Sequence, residues 1–572
     1  MKRIYYSLLA IAMLFTFNAC QDLLETDSNR LVSDEDYQLN SPEDSYAVIA
    51  GILSELQQVA DRYVLFGELR GDLMNTSSGA VVALQEINNF DVSPENEYAD
   101  KRAYYNIINN CNYALQRMDT SLVIQTEKVM LPAYAEIKTI RAWTYFQLAQ
   151  VFGKVVYLTE PITDLDASLT EETPIDLDNL VDKLIDDLFP FINERMPSSN
   201  VSPNSFMPTA LLLGDLFLYQ KQYEAAATLY YLVMYDGVST LPNHITVGGA
   251  INRWETGFNY ANVSHLGAYT NELLAEIDFQ FTAKGLHSQL VRWSLNDQPS
   301  LLPARNFVEE MAAAQYFYTS ASDGSGVVSY REGDLRGNIQ QRGDYQVGDA
   351  YFYTNIQGSV QQEPLIFKFF YDSYVSSTGS DPENALLNKE FKYSTGGASL
   401  TITPPGLYYL PHIAIYRTPQ LYLHYAEAVN RAGKPSLAFA VLKYGLKETT
   451  LTNSARVNPA ELGAAYTNFR DFDNTAMAVR GRGYGIQSPT VYTIPDFTDS
   501  ATATQDSIEW VEDRILEELA AETAFEGNRF FDLLCVSRSR GTDWMAKKVA
   551  AKYPDAAAKE AKLKTLANWF LQ

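Results

Sequence analysis

The segment Ile515–Leu534, ILEELAAETAFEGNRFFDLL, runs an acidic helical row into a glycine, an arginine and two phenylalanines. On a helix Glu518, Glu522 and Glu526 follow one another at i,i+4, and Arg529 lies three residues further on, so the spacing predicts an arginine paired with that row. Glycine inside a helix costs about 1 kcal/mol relative to alanine. Chains keep that cost where another backbone comes close or the helix turns, so Gly527 is expected to be a joint between two helices. Paired carboxylates also serve acid/base catalysis. Here no nucleophile or second catalytic group stands nearby, and packing accounts for the Glu/Arg ladder.

Outward from this segment the periodicity is helical. In Tyr134–Gly153, residues Ile137, Ile140, Thr144, Leu148 and Val151 form one stripe, while Ala142, Tyr145, Phe146, Ala149 and Phe152 cover much of the remainder. A helix apolar on most sides is sandwiched between neighbours. Between Ala210 and Met234, Gly214 and Ala226 are the small residues that let two antiparallel helices touch, half of a TPR pattern. The same spacing recurs at Ala426 and Ala438, with Gly433 between the helices and Pro435 at the first turn of the second. Tandem TPR units repeat about every 34 residues, and these two pairs stand much further apart. The expected fold is mainly α-helical, with TPR-like helix pairs and long loop-rich insertions.

Several of these segments together resemble the SusD/RagB family of surface nutrient-binding lipoproteins. They are the Glu-rich helix followed by Phe525-Glu526-Gly527-Asn528-Arg529 and Phe530-Phe531-Asp532-Leu533, the Ile140-Arg141-Ala142-Trp143 helix ending at Gly153, and Tyr105 with Asn112. Lys154 and Val156 replace the usual Asp and Pro after that helix, and Cys535-Val536 replaces an Arg-Trp continuation. The resemblance implies a SusD-like scaffold with TPR-like pairs on one side and loop-rich material on the other. It implies structural roles for Arg141, Glu427, Glu522, Glu526, Gly527, Arg529 and Asp532, and a structural salt link at Asp334-Leu335-Arg336. It also implies a binding protein rather than an enzyme, partnered by a SusC-like TonB-dependent outer-membrane barrel. The ligand would be an oligosaccharide, or a peptide as in the RagB branch; a surface glycosidase is the remaining alternative.

At the N-terminus Lys2 and Arg3 precede an apolar run from Ile4 to Phe17 and then Asn18-Ala19-Cys20, the order of an export signal. A cysteine at this place resembles a lipoprotein signal, with Cys20 as the lipid-bearing first mature residue. The expected organisation is a signal at 1–19, a lipid-anchored tether at 20–35, a helical and TPR-like part at 36–242, and a C-terminal part at 243–572. The last two form one compact unit, and the insertion at about 243–411 supplies the ligand side. No other segment approaches the roughly 20 apolar residues of a membrane helix. The formal charge of -26 argues against nucleic acid and against an electrostatic grip on anionic lipid. The 3 cysteines cannot make a disulfide scaffold; Cys111 and Cys535 read as buried small hydrophobes, with a bridge between them possible.

Chemical motifs are few. The 5 histidines, His244, His265, His287, His412 and His424, include no pair at HExxH spacing. Asp164-Leu165-Asp166 starts like a calcium loop, but Leu169 replaces the glycine and Ile175 the bidentate glutamate. Gly433-Lys434-Pro435-Ser436 lacks the upstream glycine of a phosphate loop, Gly481–Gly485 reads as a tight loop, and no G-x-S-x-G elbow occurs. No metal, cofactor or catalytic set is expected. A binding surface is: tyrosines outnumber phenylalanines 38 to 28, and tyrosine stacks its face while keeping one edge wet. In loop contexts Tyr98, Trp254, Phe258, Tyr260, Trp293, Tyr316 and Tyr318 are candidate stacking rings, with Asn75, Asn259 and Arg292 as polar neighbours.

Overall fold

The protein is described from a computed structural model. The description covers residues 39–162, 173–196, 206–236, parts of 273–366, and 412–571 apart from 447, 470–492 and 499. The signal, Cys20 and the tether lie outside it, as do the rejected calcium-like loop from residue 164 and the glycine cluster at 481–485.

The N-terminal half is built on α1 (Pro42–Leu69), α2 (Arg102–Arg117), α3 (Leu131–Phe152) and α4 (Leu177–Leu188). α1 starts as its sequence dictates. The Ser41 side chain accepts from the Asp44 amide at 3.1 Å, Pro42 opens the helix, and Glu43 and Asp44 face its positive end. α3 is the sandwiched helix that its all-round apolarity predicts, buried from Ala133 through Phe152 on nearly every face. It stops at Gly153, whose φ of 72° suits glycine. The chain beyond is strapped back onto α2 and α3. Val156 N donates to the Tyr105 hydroxyl at 3.0 Å, and Asn112 Nδ2 donates to the carbonyls of Leu158 and Glu160 at 3.1 Å. Tyr105 and Asn112 therefore clasp the turn that lacks the usual Asp and Pro.

Next come α5 (Thr209–Tyr219) and α6 (Tyr223–Asp236), and, after the insertion, α7 (Thr418–Arg431) and α8 (Pro435–Tyr444). Each forms an antiparallel pair, and α6 packs on α7, so the two TPR-like pairs stack although the chain separates them widely. A Cβ on Gly214 would come 2.5 Å from the Tyr230 ring, which is why that position is glycine. The C-terminal helices are α9 (Ala503–Thr523), α10 (Arg529–Arg540), α11 (Thr542–Ala550) and α12 (Ala556–Leu563). α9 lies against α7 and α8, and α10 against α1. One hydrophobic core runs from Leu39 to Leu571 through all of these helices.

The opening segment behaves partly as expected. Gly527, at φ 96°, is the joint between α9 and α10, and α1 crosses it backbone to backbone at Gly67. The predicted ion pairing is corrected. α9 ends at Thr523, so Glu526 leaves the helical row that carries Glu518 and Glu522. Arg529 pairs instead with Asp72, through Nε at 2.6 Å and Nη2 at 2.9 Å, and donates to the Leu516 carbonyl at 2.9 Å. Arg417, which sequence spacing could not nominate, is a cation that meets Glu522 and Glu526. Its Nε and Nη2 donate to Glu526 at 2.8 and 2.7 Å, and Nη1 reaches Glu522 at 3.2 Å.

Candidate functional site

The insertion is rooted in sheet. β1 (Met74–Thr76), β2 (Leu273–Asp278), β3 (Leu301–Pro303), β4 (Gln315–Thr319), β5 (Val328–Glu332) and β6 (His412–Arg417) are the strands that bear on it. β2 and β6 pair antiparallel, His412 opposite Asp278 and Arg417 opposite Leu273. The insertion is therefore entered after Asp278 and left at His412 on neighbouring strands, and the returning strand ends in the clamped Arg417. β1 pairs with β3, Asn75 opposite Leu302, which ties a second stretch of the insertion to the end of α1.

A third tie comes from Asp61 on α1. Its carboxylate accepts from the Ser288 hydroxyl at 2.6 Å and the Gln289 amide at 2.7 Å, at the start of the short helix Leu290–Leu295. Burial raises the Asp61 pKa to about 6 against those two hydrogen bonds. This helix carries Arg292, exposed, and Trp293, half-buried against the core. The Ser300 amide donates to the Trp293 carbonyl at 2.7 Å and the Ser77 amide to the Ser300 carbonyl at 3.0 Å. Backbone hydrogen bonds thus link the edge beside α1 that carries Arg292 and Trp293 to the strand of Asn75.

The other candidates divide. Tyr98 is a correction: it is only 7% exposed, and its ring meets Phe66 edge-on at 6.2 Å, because the turn at Asn96 directs it inward. It can floor a site and cannot stack on a ligand. Asn75 is also tied into the scaffold, its amide donating to the Lys552 carbonyl at 3.2 Å and its oxygen accepting from Asn88 at 2.6 Å. Tyr316 and Tyr318 lie at alternate positions of β4, which pairs with β5. Trp254, Phe258, Asn259, Tyr260 and Arg336 lie outside the described residues; Asp334, the other half of the expected salt link, is buried, with its amide donating to Met311.

The titratable clusters that sequence spacing missed are buried in the scaffold. His424 Nδ1 lies 3.0 Å from Asp215 and Nε2 3.0 Å from Asp532, and Asp215 also accepts from Tyr230 and Tyr416. His424 is 0% exposed, Asp532 1% and Asp215 3%, so this aspartate–histidine–aspartate line is buried in the scaffold. Burial pulls the imidazolium pKa down, but the two carboxylates more than reverse this and hold it well above 6.5. A raised folded-state pKa contributes its full stability below the unfolded value of 6.5, and the contribution is lost as pH rises from there through the folded value. The side-chain 15N shifts of His424 should therefore still report a doubly protonated ring at pH 7, above the 6.5 of a free imidazole, while a neutral ring there would refute the assignment. Arg141 is buried likewise, donating to Asn112 at 2.6 Å and Asp187 at 2.7 Å, so α2, α3 and α4 share one guanidinium. Burial lifts Glu427 to about 8 and Cys111 to about 12; both Cys111 and Cys535 are free and buried.

Two family profiles match this chain: one described as "Starch-binding associating with outer membrane" over residues 33–189, and one described as "SusD family" over residues 402–563. The chain belongs to the SusD/RagB family. The two matches bracket the insertion and contain the α1–α4 scaffold, the second TPR-like pair and the Gly527 joint. Among relatives, SusD-like protein P38 of Formosa agariphila is 23% identical over 477 residues, 80% of this chain and 84% of that one. A SusD superfamily protein from Bacteroides vulgatus superposes with a TM-score of 0.56 at 13% identity, covering 92% and 93% of the two chains. A surface glycan-binding protein A from Bacteroides fluxus gives 0.54 at 16% identity over 91% and 95%. These likenesses show a shared SusD fold, and α1, α7, α9 and α10 are its buried frame here.

Proposed function

We propose that this SusD/RagB protein is a lipid-anchored, non-enzymatic, cell-surface binding protein that captures oligosaccharide and passes it to a SusC-like TonB-dependent barrel. Family membership at both ends of the chain carries the reading. It is supported by the description of the N-terminal profile and by the glycan-binding neighbour of the same fold. The edge beside α1 supplies the chemistry. Trp293 offers an apolar ring of the kind that sugar C–H faces stack on, and Arg292 is an exposed donor for hydroxyls. Trp254, Phe258, Tyr260, Tyr316 and Tyr318, with Asn259, are the proposed further contacts from the insertion. Asp61 and the β1–β3 pair hold the edge in place, so binding there would need little reorganisation.

Cys20 is the proposed attachment point and 20–35 the tether that lets the folded part move over its barrel. Cys20→Ala should shift the protein from the outer-membrane fraction to the soluble fraction. Continued retention in cells lacking the barrel would overturn the anchor. In native gels cast with polysaccharide, the chain should be retarded and a Trp293→Ala variant less so. Unretarded migration across a broad set of polysaccharides would count against the glycan reading.

A further inference from the structure

Next to the Gly67–Gly527 crossing lies a small pocket whose lining carries two arginines, two glutamines and no acid. Arg62, Arg70, Tyr63, Tyr104, Gln147 and Gln150 are the residues of its lining with polar side chains, and Phe530 also lines it. In a chain of net charge -26 this is an exception. Arg70 is 1% exposed. Its Nη2 donates to the carbonyls of Gln150, at 3.1 Å, and Trp569, and its guanidinium carbon lies 3.8 Å from the Phe530 ring centre. Among the described residues its Nε has no hydrogen-bond acceptor, and neither has Nε2 of Gln150, which is 5% exposed. Arg62 likewise donates to backbone carbonyls, of Tyr98, Asp100 and Glu97.

A buried guanidinium without a carboxylate is costly, because carbonyl dipoles and a ring face replace only part of its hydration. Burial accordingly draws the Arg70 pKa down to about 9. Two orphaned buried donors, one of them on a cation, call for an acceptor, and a negative one settles the charge as well. The free space is small and suits a single compact, monatomic occupant better than a carboxylate or phosphate group. We infer that the pocket is a structural site for a single halide-sized anion, chloride under ordinary conditions, held by Arg70 Nε and Gln150 Nε2. Such an ion would join α1, α3, α10 and the C-terminal segment at Trp569, the elements that meet at the Gly527 joint.

The test replaces chloride by bromide. Crystals grown in bromide should show an anomalous peak within hydrogen-bonding distance of Arg70 Nε and Gln150 Nε2. Tm should rise with the logarithm of bromide or chloride concentration, as for any ligand that binds only the folded state. It should not rise with gluconate at equal ionic strength. Gln150→Glu replaces the second donor by a carboxylate beside Arg70, which supplies the negative charge from the chain itself and repels a halide, so this variant should fold well and melt alike in bromide and gluconate. Arg70→Met should also lose the halide dependence, although its stability falls. A cavity occupied by water without anomalous signal, equal melting of the native chain in the two salts, or a Gln150→Glu variant that still responds to bromide would each overturn the assignment.

Discussion

Gly67→Ala should destabilise the protein by about 3 kcal/mol or more, at or beyond the upper end of ordinary overpacking. Helix propensity alone predicts the opposite sign, since alanine in the interior of α1 gains about 1 kcal/mol over glycine. The reason is the crossing at Gly527. A Cβ on Gly67 would overlap the Gly527 carbonyl and lie within 2.7 Å of its Cα, so backbone meets backbone and no side chain can rotate away. Nor can the joint retreat. Gly527 sits at φ 96° with Tyr63 2.9 Å from its own Cβ position, and its amide donates to Glu68 at 2.8 Å. Tyr63 is itself held by Asn528, its hydroxyl donating at 2.6 Å. Denaturant midpoints of native and Gly67→Ala protein at matched conditions would decide; an unchanged or higher midpoint would mean that α1 and the joint are not in backbone contact.

Arg417→Met should be comparably severe, costing about 3–5 kcal/mol, the range for removing one partner of a buried ion group. Arg417 is 1% exposed and Glu522 fully buried, and the guanidinium also donates to the Glu522 carbonyl at 2.7 Å. Without it two buried carboxylates at the centre of the scaffold would lose this guanidinium. Because Arg417 ends β6, the loss should propagate to the root of the insertion, and amide exchange of β2 and β6 should accelerate more than that of α2. Combining Arg417→Met with Glu522→Gln and Glu526→Gln removes the charges together and should recover part of the stability. A loss below about 1 kcal/mol, the scale of an exposed pair, would contradict the buried clamp.

The parts of this fold that were legible in the sequence are those set by local spacing. The all-round apolar run of α3, the small residues of the two TPR-like pairs and the glycine joint at 527 each declare themselves within a few turns. The motif around Gly527 also identified the family. Partners across the chain did not declare themselves. Arg529 stands three residues from Glu526 in sequence, yet the joint at Phe525 and Gly527 swings it to Asp72, and Arg417 arrives at the acidic row from the far side of the insertion. Asp61 carries no local sign that it holds Ser288 and Gln289. Aromatic side chains beside turns were equally ambiguous. Tyr98 and Trp293 both stand in loop-like sequence contexts, but Tyr98 is buried on Phe66 whereas Trp293 is half-buried against the core, a difference made by tertiary packing and not by composition.

The most direct test of the whole account is calorimetric titration of the soluble chain, with Cys20 removed, against a panel of oligosaccharides and a pool of peptides, followed by analysis of the recovered ligand. The account predicts heat with at least one oligosaccharide, reduced by Trp293→Ala, and an oligosaccharide recovered intact. Heat from peptides alone, or a bound oligosaccharide recovered cleaved, would contradict it.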